Sequence, residues 1–371
     1  MNTRYSRQTI LPELGPEGQA RLHTSSVLCI GVGGLGCPAL LYLAAAGIGR
    51  LGLVDGDRVD TANLQRQVLF CEKDRGALKV DAAARALQER NSVCQIETYA
   101  ETFQASNAQK LLESYDVIVD GTDNFASKFL INDACVKYNK PLVYGAVLGF
   151  KAQVALFYGQ KGPCYRCLYY APPAEAVPTC AEAGVMGAVA GLVGTVQALE
   201  ALKAALGIAW CREKDVHSLL GRLWIMDSRS MMAQTLQLDK DPTCLVCSKR
   251  REKIMLNDIE QSPCPVSSVH TLTSHEAEVL LSEHIFIDVR EAHELKETGR
   301  IRGARHVPLA TILACSEKVE GLGKEDPLII YCLHGKRSHA AAEHLQRLGY
   351  RHVSHLAGGI TAWEGPLQQA V

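Results

Sequence analysis

A short apolar strand, Ser26-Val-Leu-Cys-Ile30, runs directly into Gly31-Val-Gly33-Gly34-Leu-Gly36, and an apolar helix is expected after it, from about residue 38 to residue 46. This strand–glycine loop–helix unit restricts the fold more than any other feature of the chain. Glycines at these spacings let the backbone turn tightly and approach a phosphate. The helix after the loop offers unpaired N–H groups at its positive dipole end. Asp55 lies 19 residues beyond Gly36, at the end of a second strand, Leu51-Gly-Leu-Val54. A carboxylate there is placed to accept ribose hydroxyls. A nucleotide pocket walled by Gly31, Gly33, Gly34, Gly36 and Asp55 is therefore expected. The plainer reading is a tight strand–helix turn.

The same alternation continues. Residues 77–90 and 127–138 predict helices, and Asp116-Val-Ile-Val-Asp120, Pro141-Leu-Val-Tyr144 and Gln153-Val-Ala-Leu-Phe157 predict strands. Strands separated by helices predict a Rossmann-like α/β domain with a doubly wound sheet, parallel over at least its first half. Residues 184–206 predict a buried helix of small residues. The pattern breaks after Cys247, and 248–268 reads as a charged linker with two prolines. Beyond it, Phe286-Ile-Asp288 and Leu328-Ile-Ile-Tyr331 predict strands and 338–348 a helix. A second, smaller α/β domain is expected there, of about 100 residues, enough for its own core. The organisation expected is 1–247, linker 248–268, and 269–371. A chain of 371 residues suits two domains.

Charged residues make up 21% of the chain and the net charge is −1, so no global basic field invites nucleic acid or an anionic membrane. Residues 27–49 carry no charge and are long enough to span a bilayer. Their six glycines and one proline fit a strand, loop and helix better, and no membrane span is expected. The first residues, MNTRYSRQTI, lack the apolar stretch of a signal peptide. A cytoplasmic chain with reduced thiols is expected, so its 14 cysteines point to metal binding or thiol chemistry before disulfides. Cys164-x-x-Cys167 and Cys244-x-x-Cys247 stand about 80 residues apart. Two such turns can complete a closed tetrahedral Zn²⁺ site, with Zn–S near 2.3 Å. One pair alone would also suit a redox motif.

Asn63-Leu64-Gln65-Arg66, Lys79 and Asp123-Asn124 come after the strands at intervals. Two cations and a carboxylate beside a phosphate loop suit nucleotidyl transfer, with Arg66 and Lys79 on a triphosphate and Asp123 on Mg²⁺. A dinucleotide oxidoreductase would need a nicotinamide pocket and an acid–base group that the chain does not evidently supply. Taken singly, each residue could be a solvated surface charge. In the second domain, Cys332-Leu333-His334-Gly335-Lys336-Arg337-Ser338 puts a thiol at a strand end before a helix. Loop N–H groups, Lys336 and Arg337 would stabilise its thiolate, and such surroundings lower a thiol pKa from about 8.5 to as little as about 3.5–7.5. A buried structural cysteine is the alternative.

Taken in order, Arg4-Tyr-Ser-Arg7-Gln, the glycine loop, Asn63-Leu64-Gln65-Arg66-Gln, Gly121-Thr-Asp123-Asn124 and Pro163-Cys164-Tyr-Arg-Cys167 resemble the HesA/MoeB/ThiF family of ubiquitin-activating-like adenylyltransferases. The resemblance covers about residues 4–247. It implies that ATP adenylates the C-terminal glycine of a small ubiquitin-like protein and releases pyrophosphate. It also implies that Gly34, Asp55, Asn63, Arg66, Lys79, Asp123 and Asn124 line the ATP pocket, with Asp123 as the Mg²⁺ ligand. Arg7 would reach the phosphates, donated across a homodimer, and the four cysteines would hold structural zinc. Cys180 matches a family cysteine that links to the carrier, its bland alternative being a small residue that packs a loop.

Residues from about 269 to 369 resemble a single rhodanese domain through Asp288-Val-Arg290, Gly299-x-Ile-x-Gly303-Ala304, the Cys332 loop and Gly358-Gly-Ile-x-x-Trp363. The related loop of cysteine phosphatases holds its Arg one residue further from the Cys, so the cradle here suits a persulfide better than a phosphate. The resemblance implies that Cys332 carries a persulfide taken from a cysteine desulfurase or from thiosulfate. The fusion resembles the bifunctional sulfur-carrier activators of molybdopterin biosynthesis and thiolation pathways, whose product is a thiocarboxylate on a Gly-Gly carrier terminus. A thiamine or tRNA-thiolation carrier, an NAD-dependent oxidoreductase and a non-catalytic carrier-binding scaffold are the alternatives.

Overall fold

The computed structural model describes residues 3–171, 184–258, 269–315 and 317–368. The chain divides into two compact units, Met1–Ser262 and Pro263–Val371. The first holds an eight-stranded sheet. Its strands are β1 (Ser26–Ile30), β2 (Arg50–Val54), β3 (Gln95–Tyr99), β4 (Val117–Asp120), β5 (Leu142–Leu148), β6 (Lys151–Phe157), β7 (Arg222–Asp227) and β8 (Met232–Gln237). Their spatial order is β3-β2-β1-β4-β5-β6-β7-β8. Pairing is parallel from β3 to β5, with Cys29 facing Leu53 and Val119, and antiparallel from β5 to β8. The doubly wound, half-parallel sheet read from the sequence is thus observed.

The helices that pack on this sheet include α1 (Gly36–Ala46), α2 (Lys79–Arg90), α3 (Phe125–Lys137) and α4 (Gly187–Leu206). Strand alternation divides the core between the two faces of the sheet. Val27, Cys29, Val117 and Val119 face Leu40, Leu43, Val80, Ala83 and Ala201, contributed by α1, α2 and α4. Leu28, Ile30 and Ile118 face Phe129, Leu130 and Ile131 of α3. Because β1 and β4 are covered on both sides, they read as unbroken apolar runs. Helix α4 is long and apolar enough to cross a membrane. Here it buries Val193, Gln197, Ala198 and Ala201 on the sheet and leaves Leu192 and Leu199 exposed, so it is half-buried where the sequence suggested full burial. After Cys247 the chain keeps packing on the first unit: Ile254 is buried beside Val136 and Cys247, and the amide of Ala105 donates to Asp258 Oδ1 at 2.8 Å.

The second unit is built on a parallel five-stranded sheet. Its strands are β9 (His270–Leu272), β10 (Ile285–Asp288), β12 (Arg305–His306), β13 (Leu328–Tyr331) and β14 (Val353–Leu356), in the spatial order β12-β10-β13-β14-β9. A small antiparallel pair, β11 (Arg300–Ile301) with β15 (Leu367–Gln368), stands apart. Helix α5 (Lys336–Arg347) comes after β13. Asp288 and Arg290 are both fully buried and paired at 2.7 Å. Arg290 also donates to Thr298 Oγ1 (2.6 Å) and to the Gly299 carbonyl (2.7 Å). The Asp-Val-Arg motif is therefore an internal strut, and its buried charges are tolerated because they are paired and hydrogen-bonded.

The glycine loop is shaped by a close crossing of backbones. Gly31 adopts φ +92°, and a Cβ at Gly36 would lie 2.0 Å from the Gly31 carbonyl oxygen. Replacing Gly36 by Ala is expected to destabilise the chain by about 1–3 kcal/mol through overpacking, measured as a lowered Tm. Gly191→Ala, a mid-helix change with nothing within 4 Å of the new methyl, is the contrast: it should be neutral or gain up to about 1 kcal/mol from helix propensity.

Candidate functional site

A cavity of about 730 Å³ opens beyond the C-terminal ends of β1, β2 and β4. It lies beside the switch point of the doubly wound sheet, where such folds bind ligands. Gly31, Gly33, Gly34, Asp55, Asn63, Arg66, Lys79, Asp123 and Asn124 meet on its wall. Gly36 lies behind it, against the Gly31 carbonyl. Leu64 packs into the core, and Gln65 and Arg7 are exposed and do not line the cavity. The volume falls in the range of small-molecule sites, about 300–1,000 Å³.

The charges are laid out in pairs. Asp55 Oδ2 accepts from the amide of Val32 in the glycine loop (2.8 Å), and its Oδ1 from the amide of Asp57 (2.9 Å). Lys79 is buried; its Nζ donates to Asp57 Oδ2 at 2.7 Å and stands 3.9 Å from Asp55 Oδ1. Arg66 donates to the Ala62 carbonyl at 3.0 Å, and its aliphatic stem lies so near Gly34 that a Cβ there would meet it at 3.3 Å. The turn carrying Asp123 is braced from beneath. Lys128 Nζ donates to Asp120 Oδ2 (2.9 Å) and to the carbonyls of Thr122 (2.9 Å) and Gly145 (2.8 Å). Asp120 Oδ1 holds the amide and hydroxyl of Thr122 at 2.9 and 2.6 Å. Asn124 caps α3 through its Oδ1 and the amide of Ser127 (2.9 Å). Asp123 itself is exposed on the wall.

Sequence reasoning missed Asp57, although it stands two residues after Asp55, and Lys128, whose importance lies in burial. It also missed the far half of the cavity. There the hydroxyls of Tyr144 and Tyr169 donate to Gln153 Oε1 at 3.2 and 3.0 Å, beside Leu148, Lys151 and Val185.

The four predicted ligand cysteines converge, their sulfurs all within 4.8 Å of one another. Cys164 lies 3.6 Å from Cys244, Cys167 3.5 Å from Cys247, and Cys164 4.0 Å from Cys167. A tetrahedron with Zn–S near 2.3 Å requires S···S of about 3.8 Å, so the donors fit that metal in kind and spacing. Hydrogen bonding from Cys164 holds the Cys244 thiol far below its usual range, while the Cys164 thiol is pushed up to about 12, first through its hydrogen bond with Cys244. A cation is what would let all four ionise together. By contrast, burial pushes the Cys37 thiol up to about 12 and raises those of Cys29 and Cys135, as expected of packing residues.

In the second unit Cys332 is buried at the end of β13, and its Sγ accepts from the amide of Gly335 at 3.1 Å. The loop is tied to the segment after β14: the amide of Ile360 donates to the Cys332 carbonyl (2.8 Å) and that of Thr361 to Leu333 (3.2 Å). His334 is exposed and meets Thr361 Oγ1 at 3.3 Å. A Cβ at Gly359 would lie 2.3 Å from the Cys332 oxygen. Gly335, at φ +93°, turns the chain into α5, and Arg337 pairs with Glu294. The Lys336 side chain and all of Cys180 lie outside the described residues.

Comparison with known proteins agrees with this architecture. Residues 5–246 match the ThiF family, and residues 273–366 match the rhodanese-like domain. The chain belongs to the ThiF family and carries a rhodanese-like domain after it. It is 40% identical over 386 residues to the adenylyltransferase and sulfurtransferase MOCS3 of Drosophila persimilis, covering 98% of this chain and 83% of that one. To the MOCS3 of Anopheles gambiae it is 39% identical, over 97% of this chain and 86% of the relative. A crystal structure of E. coli MccB with ATP shares the fold at a TM-score of 0.58 and 24% identity, over 67% of this chain and 75% of that one. The chain is an adenylyltransferase and a sulfurtransferase, which sets aside the oxidoreductase and scaffold readings.

Lys128→Met would leave the carboxylate of Asp120 buried without its cation. Removing one partner of a buried pair costs about 3–5 kcal/mol. A loss of that order is expected in chemical denaturation of the full chain, and a smaller one for Lys128→Arg.

Proposed function

We propose that this chain uses ATP to adenylate the C-terminal glycine of a ubiquitin-like sulfur carrier ending in Gly-Gly, and then delivers sulfur to that carboxyl from a persulfide on Cys332. The observation that supports it most is the meeting, in one cavity, of the glycine loop, Arg66, Lys79 and Asp123 with a tyrosine-lined slot that continues from them. In this reading the amides of Gly33 and Gly34 receive phosphate oxygens, that of Gly31 being held by the Val54 carbonyl at 2.8 Å, and Asp55 receives the ribose. Arg66 and Lys79 neutralise the triphosphate, and Asn63 and Asn124 fix the turns that carry Arg66 and Asp123. Asp123 would hold Mg²⁺, which when bound neutralises charge that develops on the phosphates. An oxygen of the carrier carboxylate attacks the α-phosphorus and pyrophosphate leaves. The mixed anhydride then has AMP as a good leaving group for attack by the Cys332 persulfide. Linking the two activities in one chain raises the effective concentration of the second nucleophile.

Several finer assignments belong to the same proposal. The modules are 1–247 and 269–371, joined by 248–268. Cys164, Cys167, Cys244 and Cys247 hold a structural Zn²⁺ that takes no part in the chemistry. Cys180 is the thiol that resolves the Cys332–carrier disulfide and frees the thiocarboxylate. The enzyme works as a cytoplasmic homodimer, for which the exposed Tyr42 of α1 and Leu192 and Leu199 of α4 offer an apolar face, with Arg7 donated to the partner's phosphates. Its sulfur comes from a cysteine desulfurase or thiosulfate, and its carrier is that of molybdopterin biosynthesis. A thiamine or tRNA-thiolation carrier would be served by the same chemistry.

Pyrophosphate exchange into ATP, stimulated by candidate Gly-Gly carriers, tests both the activity and the pathway. Asp123→Ala is expected to abolish carrier-dependent exchange. Cys332→Ala should leave exchange intact and remove thiocarboxylate formation, and loss of both activities in that variant would count against the division of labour. Metal analysis should find one zinc per chain, and none in the Cys164→Ser/Cys244→Ser double variant; a metal-free, fully active wild type would overturn the zinc assignment.

A further inference from the structure

Arg337 stands at the mouth of the Cys332 loop, and its guanidinium is already engaged. Nη1 donates to Glu294 Oε2 at 2.7 Å and Nη2 to Oε1 at 2.6 Å, a bidentate clamp. Glu294 is itself anchored. It sits in the first turn of the helix Ala292–Thr298, where its Oε2 also accepts from the amide of Glu291 at 2.9 Å in a capping box. Its side chain is only 16% exposed. The Arg337 guanidinium holds its carboxyl down at about 2, so the carboxylate is charged throughout the working pH range. An arginine has five N–H donors in a fixed fork. Here one N–H of each terminal nitrogen is given to Glu294, and a full negative charge offsets the cation beside the thiol. The sulfur itself takes a hydrogen bond from the backbone, through the amide of Gly335.

This layout distinguishes between sulfur donors by charge. Thiosulfate is a dianion, and its sulfonate group is seated best by a guanidinium whose charge no carboxylate already offsets. An alkyl persulfide carries at most one negative charge and has no sulfonate to seat. We propose that Glu294 is a specificity-determining positioning residue, which by clamping Arg337 selects monoanionic persulfides over dianionic thiosulfate as the sulfur source of Cys332. The proposal rests on the sulfur-transfer reading of this loop. In either transfer the Cys332 thiolate attacks the outer sulfur of the donor. A new S–S bond forms while the donor's own breaks, and its electron pair leaves on a thiolate or, from thiosulfate, on sulfite. Cys332 is left as a persulfide anion, and no outside oxidant or reductant is required.

The test is Glu294→Gln in the full chain, assayed with thiosulfate and with 2-hydroxyethyl persulfide, a true monoanion, as donors and cyanide as acceptor. Glutamine keeps an acceptor for the Glu291 amide, so the helix cap survives, and a thermal melt checks the fold. The ratio of kcat/KM for thiosulfate to that for 2-hydroxyethyl persulfide is expected to rise about tenfold, mainly through a lower KM for thiosulfate. The thiosulfate rate of the variant should also become more sensitive to ionic strength, as a freed surface cation requires. Glu294→Asp, which retains the charge, should stay near the wild-type ratio. An unchanged ratio, or a parallel fall of kcat with both donors, would overturn the proposal and leave Glu294 as a structural brace. A Cys332→Ala variant that still transfers sulfur from both donors would instead remove the sulfur-transfer reading itself.

Discussion

One buried ammonium sustains the geometry of the adenylating unit. Lys128 reaches from α3 to the carboxylate at the end of β4, to the turn after it and to a carbonyl of β5. Those three acceptors belong to β4, to the turn after it and to β5, and one ammonium ties them together at the mouth of the sheet. With all three ammonium protons used, Lys128 has none to offer a ligand; it fixes the floor on which Asp123 stands. The cost of burying that charge is offset only because Asp120 is buried with it. Neighbouring Gln197 adds a second tie, from α4 to the Asp120 carbonyl at 2.7 Å. The cavity is therefore shaped before anything enters it.

The two units treat cations differently. In the first, Lys79 is buried and touches two carboxylates, yet faces a wide cavity that a polyanion can enter and share. In the second, Arg337 faces a buried thiol and is committed to one anchored carboxylate. A triphosphate brings enough charge, with its metal, to re-form such pairs around itself, whereas a single sulfur atom does not. The same residue types thus give an adaptable site in one place and a fixed one in the other.

Much of this was legible in the sequence because it rests on repeated apolar runs and on glycine. Leu328–Tyr331 forms a strand with the bounds read from its four apolar residues, and the glycine loop sits between β1 and α1 as its spacing required. Much of what escaped is polar, although the apolar β7 (RLWIMD) escaped as well. Strands β3 (QIETY) and β8 (MAQTLQ) lie at the two edges of the sheet and show no apolar alternation strong enough to read. Lys128 and Asp57 look like ordinary surface charges until the fold buries one and points the other at Lys79. The tyrosines around Gln153 come from β5 and from the segment after Cys167, and only the folded chain brings them together.

The cysteine cluster has a consequence beyond its own neighbourhood. Cys164 and Cys244 lie 80 positions apart in sequence, and the chain between them includes α4, which packs on the sheet beside α1, and the strands β7 and β8. Pinning a loop of that length removes about 4–5 kcal/mol of chain entropy from the unfolded state on a cross-link model. If a metal makes that pin, its binding energy is folding energy. The supply of an ion that never touches substrate would then set how much of the newly made enzyme survives to work, and a cell short of that ion would lose the adenylating unit by unfolding, without any inhibition of its chemistry.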